Sequence, residues 1–112
     1  MNVSKCLLYP FNYGIKSTAV IAMTIDKCFL QKQFNSNWTG VYVDQLGGVE
    51  VYESMITNCQ FADNLGLGFG SWIGINIVSG RVFSICENQF DSGVGTCIQI
   101  TSTESIIKNN LN

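Results

Sequence analysis

The sequence predicts an all-β solenoid, in which short strands wind into successive coils and each coil buries its apolar side against the next. Two observations carry this prediction. A hexapeptide pattern recurs along the chain, and a second, glycine-containing element stands between its copies. Both elements place apolar residues at every second position, which is the period of a strand and not of a helix.

The first element is a pattern of six successive residues. It consists of an aliphatic residue, two mostly polar residues, a cysteine or asparagine, any residue, and a large apolar residue. Its copies begin at Val3, Ile25, Ile56, Ile85 and, in an imperfect form, Ile107. Its Cys/Asn positions are Cys6, Cys28, Cys59, Asn88 and Asn110, separated by 22 to 31 residues. A fixed order of elements with tolerated insertions is typical of a solenoid whose insertions form outward loops.

The second element is a glycine followed by an alternating pair of residues. It reads Gly14-Ile15-Lys16, Gly40-Val41-Tyr42-Val43, Gly74-Ile75-Asn76-Ile77 and, with cysteine in the glycine position, Cys97-Ile98-Gln99-Ile100. Because side chains alternate between the two faces of a strand, the outward positions form one column. That column is Lys16, Tyr42, Asn76 and Gln99, as a solvated sheet face requires.

Composition narrows the class of protein. The 112 residues predict one domain spanning 1–112, with 11 Gly, one Pro and only 12% charged residues. Six scattered basic residues give no footprint for nucleic acid, and no apolar run is long enough to insert into a membrane. The chain has no histidine and five cysteines without a C-x-x-C pair, so we expect no metal site, no cofactor and no Ser-His or Cys-His nucleophile.

This pattern resembles the right-handed parallel β-helix of pectate-lyase-like proteins, and among these it is most similar to bacteriophage tailspikes. The resemblance covers almost the whole chain and concerns fold more than activity. It implies about four coils, at one copy of the pattern per coil. It also implies an inward asparagine stacked at the tight turn between two sheets, which Asn88 and Asn110 match and which three cysteines replace with a small apolar thiol.

The resemblance implies a function as well. The chain would be a segment of a phage tailspike or fibre that recognises host surface polysaccharide. The longer spike of which it is a part would have depolymerase activity. It would be located in the virion tail and assembled in the reducing host cytoplasm, where buried free thiols are expected. Two alternatives are a purely structural shaft for trimer assembly and a fragment of a bacterial polysaccharide lyase or epimerase. The absence of a recognisable signal peptide disfavours the latter.

Four residues are the predicted sugar contacts: Trp38, Tyr42, Trp72 and Asn76. Trp38 and Trp72 each stand two residues before the strand glycine, at equivalent heights on successive coils. Exposed aromatic faces flanked by amides are the usual chemistry of carbohydrate recognition. The alternative is that both indoles fill space beneath the loops or contact a neighbouring subunit.

Asp44 and Asp63 are the predicted acid and base pair. Polysaccharide hydrolysis needs two carboxylates about 5–9.5 Å apart, and these two flank the predicted groove. The alternative is that both are solvated loop carboxylates, with catalysis supplied by further coils or by a partner chain.

Both ends of the predicted solenoid lack a helix or polar strand that would cap the open core. We therefore expect a fragment or module of a longer spike. A homotrimer or partner chains would then cover the ends.

Overall fold

The computed structural model describes residues 2–8, 12–18, 22–32, 38–44, 52–63, 72–91, 95–101 and 104–111, except for the side chains at positions 32, 52 and 63. These residues form strands and no helix. In chain order the strands are β1 (Asn2–Ser4), β2 (Leu7–Leu8), β3 (Tyr13–Thr18), β4 (Thr24–Asp26), β5 (Phe29–Lys32), β6 (Thr39–Asp44), β7 (Tyr52–Thr57), β8 (Gln60–Asp63), β9 (Ile73–Ile77), β10 (Arg81–Cys86), β11 (Gln89–Phe90), β12 (Thr96–Ile100) and β13 (Ile106–Lys108).

The strands form three sheets that the chain visits in rotation. Sheet A has the order β1-β4-β7-β10-β13, sheet B the order β2-β5-β8-β11, and sheet C the order β3-β6-β9-β12. Every strand pair is parallel. The prediction of an all-β solenoid of parallel strands is therefore confirmed as a β-helix-like architecture.

Equivalent residues of the repeat lie directly over one another in the core. Sheet A stacks Val3, Ile25, Ile56, Ile85 and Ile107 in register. In sheet B, Phe61 and Phe90 pair and their rings stack with centroids 4.8 Å apart and planes 9° from parallel. Because each apolar side chain is covered by its copy in the next coil, the central members of these columns are fully buried.

A left-handed residue makes the corner between sheets A and B in every copy of the hexapeptide. The residue before each Cys/Asn position has a φ between 55° and 60°, a region that residues other than glycine rarely adopt. These residues are Lys5, Lys27, Asn58, Glu87 and Asn109. Hydrogen bonds between coils continue through the corner, as from the N–H of Phe29 to the carbonyl of Cys6. The corner thus turns the chain without interrupting the pairing.

The Cys/Asn series forms the predicted inward ladder. Asn88 is 1% exposed; its Oδ1 accepts from the N–H of Cys59 at 2.9 Å, and its Nδ2 donates to the carbonyl of Ile56 at 2.9 Å. Asn110 Oδ1 accepts from Nδ2 of Asn88 at 3.0 Å. The buried amides are therefore satisfied by their neighbours in the ladder, as a polar group in a core requires.

All five cysteines are free thiols. Cys28 and Cys59 are buried in the ladder as expected, whereas Cys6, Cys86 and Cys97 are half-buried. Burial raises the pKa of Cys28, and it raises the pKa of Cys59 to about 12. Because the thiolate is the reactive form, these two thiols are held in their unreactive state.

The ionisation of Cys59 makes a prediction for alkaline stability. The unfolded thiol loses its proton above about pH 8.5, while the folded thiol keeps it until about pH 12. The free energy of unfolding should therefore fall as the pH rises through this window. Urea unfolding of the wild type and of Cys59→Ala checks this, since the other alkaline groups titrate in both proteins. Equal slopes of unfolding free energy against pH would contradict the assignment.

A glycine column allows sheets B and C to approach closely. A Cβ added to Gly40 would lie 2.6 Å from the carbonyl oxygen of Gly74 and 2.7 Å from the ring of Phe61. A Cβ added to Gly74 would lie 2.5 Å from the ring of Phe90. These glycines face the interior, so the recurring glycine of the second element is a requirement of packing.

A second left-handed column crosses sheet A at Glu53, Val82 and Glu104, with φ between 56° and 61°. Val82 is β-branched, which makes a left-handed backbone costly, and its side chain is 39% exposed, so a polar residue can replace it there.

We expect Val82→Asn to stabilise the fold by about 1 kcal/mol, because asparagine tolerates a left-handed backbone. The melting temperature should rise by about 4 °C. Thermal unfolding followed by circular dichroism measures the change. Val78→Asn is the matched control: Val78 is similarly exposed, and its φ is not positive. A gain of the same size in both variants would show that polarity, and not backbone strain, is responsible.

Candidate functional site

The outer surface of sheet C carries the predicted column of polar side chains. Lys16 pairs with Tyr42, Tyr42 with Asn76, and Asn76 with Gln99. Lys16 and Gln99 are exposed, and Tyr42 and Asn76 are half-buried. This column, together with Tyr13, Asp44 and Ser79, is called the sheet C face below.

An aromatic pair with a cation lies at one end of this face. The rings of Tyr13 and Tyr42 have centroids 5.0 Å apart and are tilted by 52°. The Nζ of Lys16 lies 4.9 Å from the centroid of Tyr13 and 5.8 Å from that of Tyr42, within the range of a cation–π interaction. Tyr13 is 43% exposed, so the pair offers aromatic surface to a ligand.

Asp44 lies two residues after Tyr42 on the same strand and holds its hydroxyl. Its Oδ2 accepts from the hydroxyl of Tyr42 at 3.1 Å, and its Oδ1 accepts from the hydroxyl of Ser79, one coil further on, at 3.1 Å. Burial, and then the hydrogen bond to Asp44, raise the pKa of Tyr42. The phenol is therefore a neutral donor whose orientation is fixed by a carboxylate.

Trp38 and Trp72 lie in the core, which corrects the expectation that their faces are exposed. They are 3% and 0% exposed, and their rings stack with centroids 4.4 Å apart and planes 14° from parallel. Nε1 of Trp38 is buried and has no hydrogen-bond partner in the described part of the chain. Neither indole therefore presents a face to a sugar. Both fill space in the core, as the alternative interpretation of these two residues expects.

The two predicted catalytic carboxylates belong to different sheets. Asp44 is the last residue of β6 in sheet C, and Asp63 is the last residue of β8 in sheet B. The side chain of Asp63 lies outside the described residues. The acid and base pair therefore stays a prediction, while Asp44 already accepts hydrogen bonds at both oxygens.

A second polar cluster lies at the corner of sheets A and B. Asp26 Oδ1 accepts from Oγ1 of Thr57 and from Nδ2 of Asn58, both at 3.0 Å, and Nζ of Lys27 lies 3.9 Å from Asp26 Oδ2. The hydrogen bond from Asn58 is the largest contribution that lowers the pKa of Asp26. Every partner here belongs to an adjacent coil or residue, so the cluster ties coils together.

Sequence patterns did not identify Tyr13 or Ser79 as part of the site. Tyr13 immediately precedes the first strand glycine, a position that turns outward, and this was the available signal.

Among the described residues, no three His, Cys, Asp or Glu side chains form a group that could hold a metal ion. Nor do those residues include a helix long and apolar enough to cross a membrane.

Comparison with known proteins found no matching family model, no matching curated protein and no matching solved structure. What the site can do therefore follows from its own chemistry. The sheet C face combines an aromatic surface, a cation, a carboxylate and two amide side chains on a rigid scaffold. These groups suit a ligand with many hydroxyls and apolar C–H faces.

Proposed function

We propose that this chain is a segment of a phage tailspike or fibre that recognises a host surface polysaccharide through the sheet C face. Its fold would be a right-handed parallel β-helix of about four coils, at one pattern copy per coil. The segment would belong to the virion tail and be assembled in the host cytoplasm, for which the free thiols are suited. The longer spike would be a homotrimer, and depolymerase activity would belong to it as a whole.

The observation that carries the proposal is the aromatic pair beside Lys16. A partly exposed tyrosine pair, with Asn76 and Gln99 in register on the next two strands, supplies stacking and hydrogen bonding along a line that crosses the strands. Successive strands of a sheet lie about 4.8 Å apart, close to the length of a sugar residue, so a polymer lying across the strands meets equivalent positions repeatedly.

Tyr42→Ala should weaken glycan binding about tenfold, because it removes one aromatic surface and the hydroxyl that donates to Asp44. Calorimetric titration against a panel of bacterial surface polysaccharides measures this, with folding checked by circular dichroism. Tyr42→Phe is the matched variant, since it keeps the ring and loses only the hydrogen bond to Asp44. Gln60→Ala, on the outer side of sheet B, should leave the affinity unchanged.

Equal affinity in wild type and Tyr42→Ala would remove the site assignment. If no polysaccharide binds, the structural shaft becomes the better reading. The buried Trp38–Trp72 stack favours that second candidate, because both indoles join neighbouring coils and neither faces outward.

For catalysis, loss of reducing-sugar release in Asp44→Asn and Asp63→Asn of the full spike would support the predicted pair.

A further inference from the structure

Asn76 has a side-chain amide that no hydrogen bond within the described part of the chain engages. It lies in β9, an inner strand of sheet C that is paired on both sides, between Tyr42 of β6 and Gln99 of β12. The side chain is half-buried, and its amide has no hydrogen-bond partner among the residues that the structure describes. Both its donor and its acceptor are therefore open to a ligand.

Other asparagine amides of the solenoid join one coil to the coil before it. Those that donate in this way are Asn58, Asn88, Asn109 and Asn110. Asparagine is also disfavoured in the interior of a strand. Asn76 thus neither joins coils nor favours the strand that it occupies, and a half-buried amide gains from a partner that supplies both a donor and an acceptor.

Apolar side chains lie on either side of Asn76 on the outer surface of sheet C. Val78 stands two residues later, on the same face of the extended chain, and is 41% exposed. Ile73 stands before the inward pair Gly74 and Ile75 and is half-buried. Across this coil a ligand therefore meets an apolar side chain, an amide and a second apolar side chain.

The neighbouring coil restricts the charge of a group bound here. The N–H of Val78 donates to the carbonyl of Val43 at 2.8 Å, which places Val78 beside Asp44. At neutral pH the carboxylate of Asp44 repels an anionic substituent in contact with Val78. The hydroxyl of Tyr42 donates to Asp44, so the same oxygen can only accept from a ligand. The favoured group is uncharged and carries a hydrogen-bond donor.

An acetamido substituent of a sugar meets each of these requirements. Its N–H can donate to Oδ1 of Asn76 while its carbonyl accepts from Nδ2, and its methyl group can pack against Val78. A sugar hydroxyl has one oxygen and no methyl group for the valine. A uronate carboxylate leaves Oδ1 of Asn76 without a donor and is repelled by Asp44.

We propose that the sheet C face selects polysaccharides containing N-acetylated amino sugars, and that Asn76 and Val78 hold the acetamido group. This inference rests on the proposed function, because it names the class of sugar that the same face recognises. It assigns recognition of one substituent to the inner coil of β9, next to the aromatic surface of Tyr42.

Calorimetric titration with two uncharged probes tests this. The probes are the tetramers of N-acetylglucosamine and of glucose in the same linkage, which differ only in acetamido against hydroxyl. The wild type should bind the acetylated tetramer about tenfold more tightly. Asn76→Asp replaces the amide donor by a carboxylate oxygen, and Val78→Thr replaces one methyl group by a hydroxyl at nearly constant shape. Each should remove most of the preference, whereas Gln60→Ala, on sheet B, should leave it unchanged.

The panel of bacterial surface polysaccharides gives a second readout, in which those that bind should contain acetamido sugars. Circular dichroism confirms that each variant is folded. Equal affinity for the two tetramers, binding of a polysaccharide without acetamido groups, or a preference that both substitutions leave intact overturns the inference. If such binding is still lost in Tyr42→Ala, the proposed function stands without it. If no saccharide binds, both fail together.

Discussion

Gly74→Ala is expected to destabilise the fold by about 3 kcal/mol, because the added methyl group overfills a closed space. Its Cβ would lie 2.5 Å from the ring of Phe90 and 2.7 Å from the carbonyl oxygen of Cys97. The ring could tilt, but the carbonyl belongs to the neighbouring strand of sheet C and moves only if the two coils separate. Urea unfolding of the wild type and the variant measures the loss.

Cys97→Ala is the matched control for that substitution. Cys97 stands in the same column, one coil later, and already carries a Cβ, so the change should cost within about 1 kcal/mol. Combining Gly74→Ala with Phe90→Ala should cost less than the sum of the single effects, since the ring contact is removed while the carbonyl contact persists. An additive result would show that Phe90 does not restrict the glycine.

Asn88→Ala is expected to cost about 3 kcal/mol, because it leaves buried polar groups without partners. The N–H of Cys59 loses its acceptor, and the carbonyl of Ile56 and the amide of Asn110 lose a donor. Asn88→Cys should cost less than alanine, since Cys28 and Cys59 occupy the same ladder with a thiol. Asn88→Asp should cost most, because it buries a charge and places a carboxylate oxygen against the Ile56 carbonyl.

The order of these three variants in urea unfolding is the diagnostic result. Ser84→Ala, at a half-buried outward position of the same coil, is the control for side-chain truncation in sheet A. If Asn88→Ala lowered the free energy of unfolding no more than that control, the hydrogen bonds of the amide ladder would make no net contribution to stability.

The residues of the core columns could be predicted from the sequence alone, because aligning the copies of the repeat with one another identifies the equivalent residues of successive coils. Once Cys28, Cys59 and Asn88 are matched, the period-2 pattern fixes which neighbours face inward, and parallel stacking fixes the register. The same logic placed Lys16, Tyr42, Asn76 and Gln99 in one outward column, which the strand pairing confirms.

The burial of the tryptophans could not be obtained in this way, because the alternation is interrupted at the glycine. Gly40 and Val41 both face inward, so counting strictly backwards from Val41 would put Trp38 on the outer face. The extra inward residue shifts the alternation of inward and outward side chains by one position. Trp38 consequently turns into the core, while the residue before the glycine turns outward, which is why Tyr13 belongs to the sheet C face.

The left-handed column at Val82 was also beyond the sequence pattern. Valine strongly favours strands, and nothing in the local sequence marks a residue with positive φ. The conformation is imposed by the neighbouring coils, where Glu53 and Glu104 adopt the same angle. Tertiary stacking here overrides the preference of the single residue.

The stacked indoles give the molecule an internal optical probe. Trp38 and Trp72 are the chain's two tryptophans, and they meet face to face across the boundary between successive coils. Excitation energy can pass between them only while they remain in contact, so the decay of their emission changes when they part. Time-resolved fluorescence would therefore detect the parting of these two inner coils, and would remain silent when only the outermost strands fray.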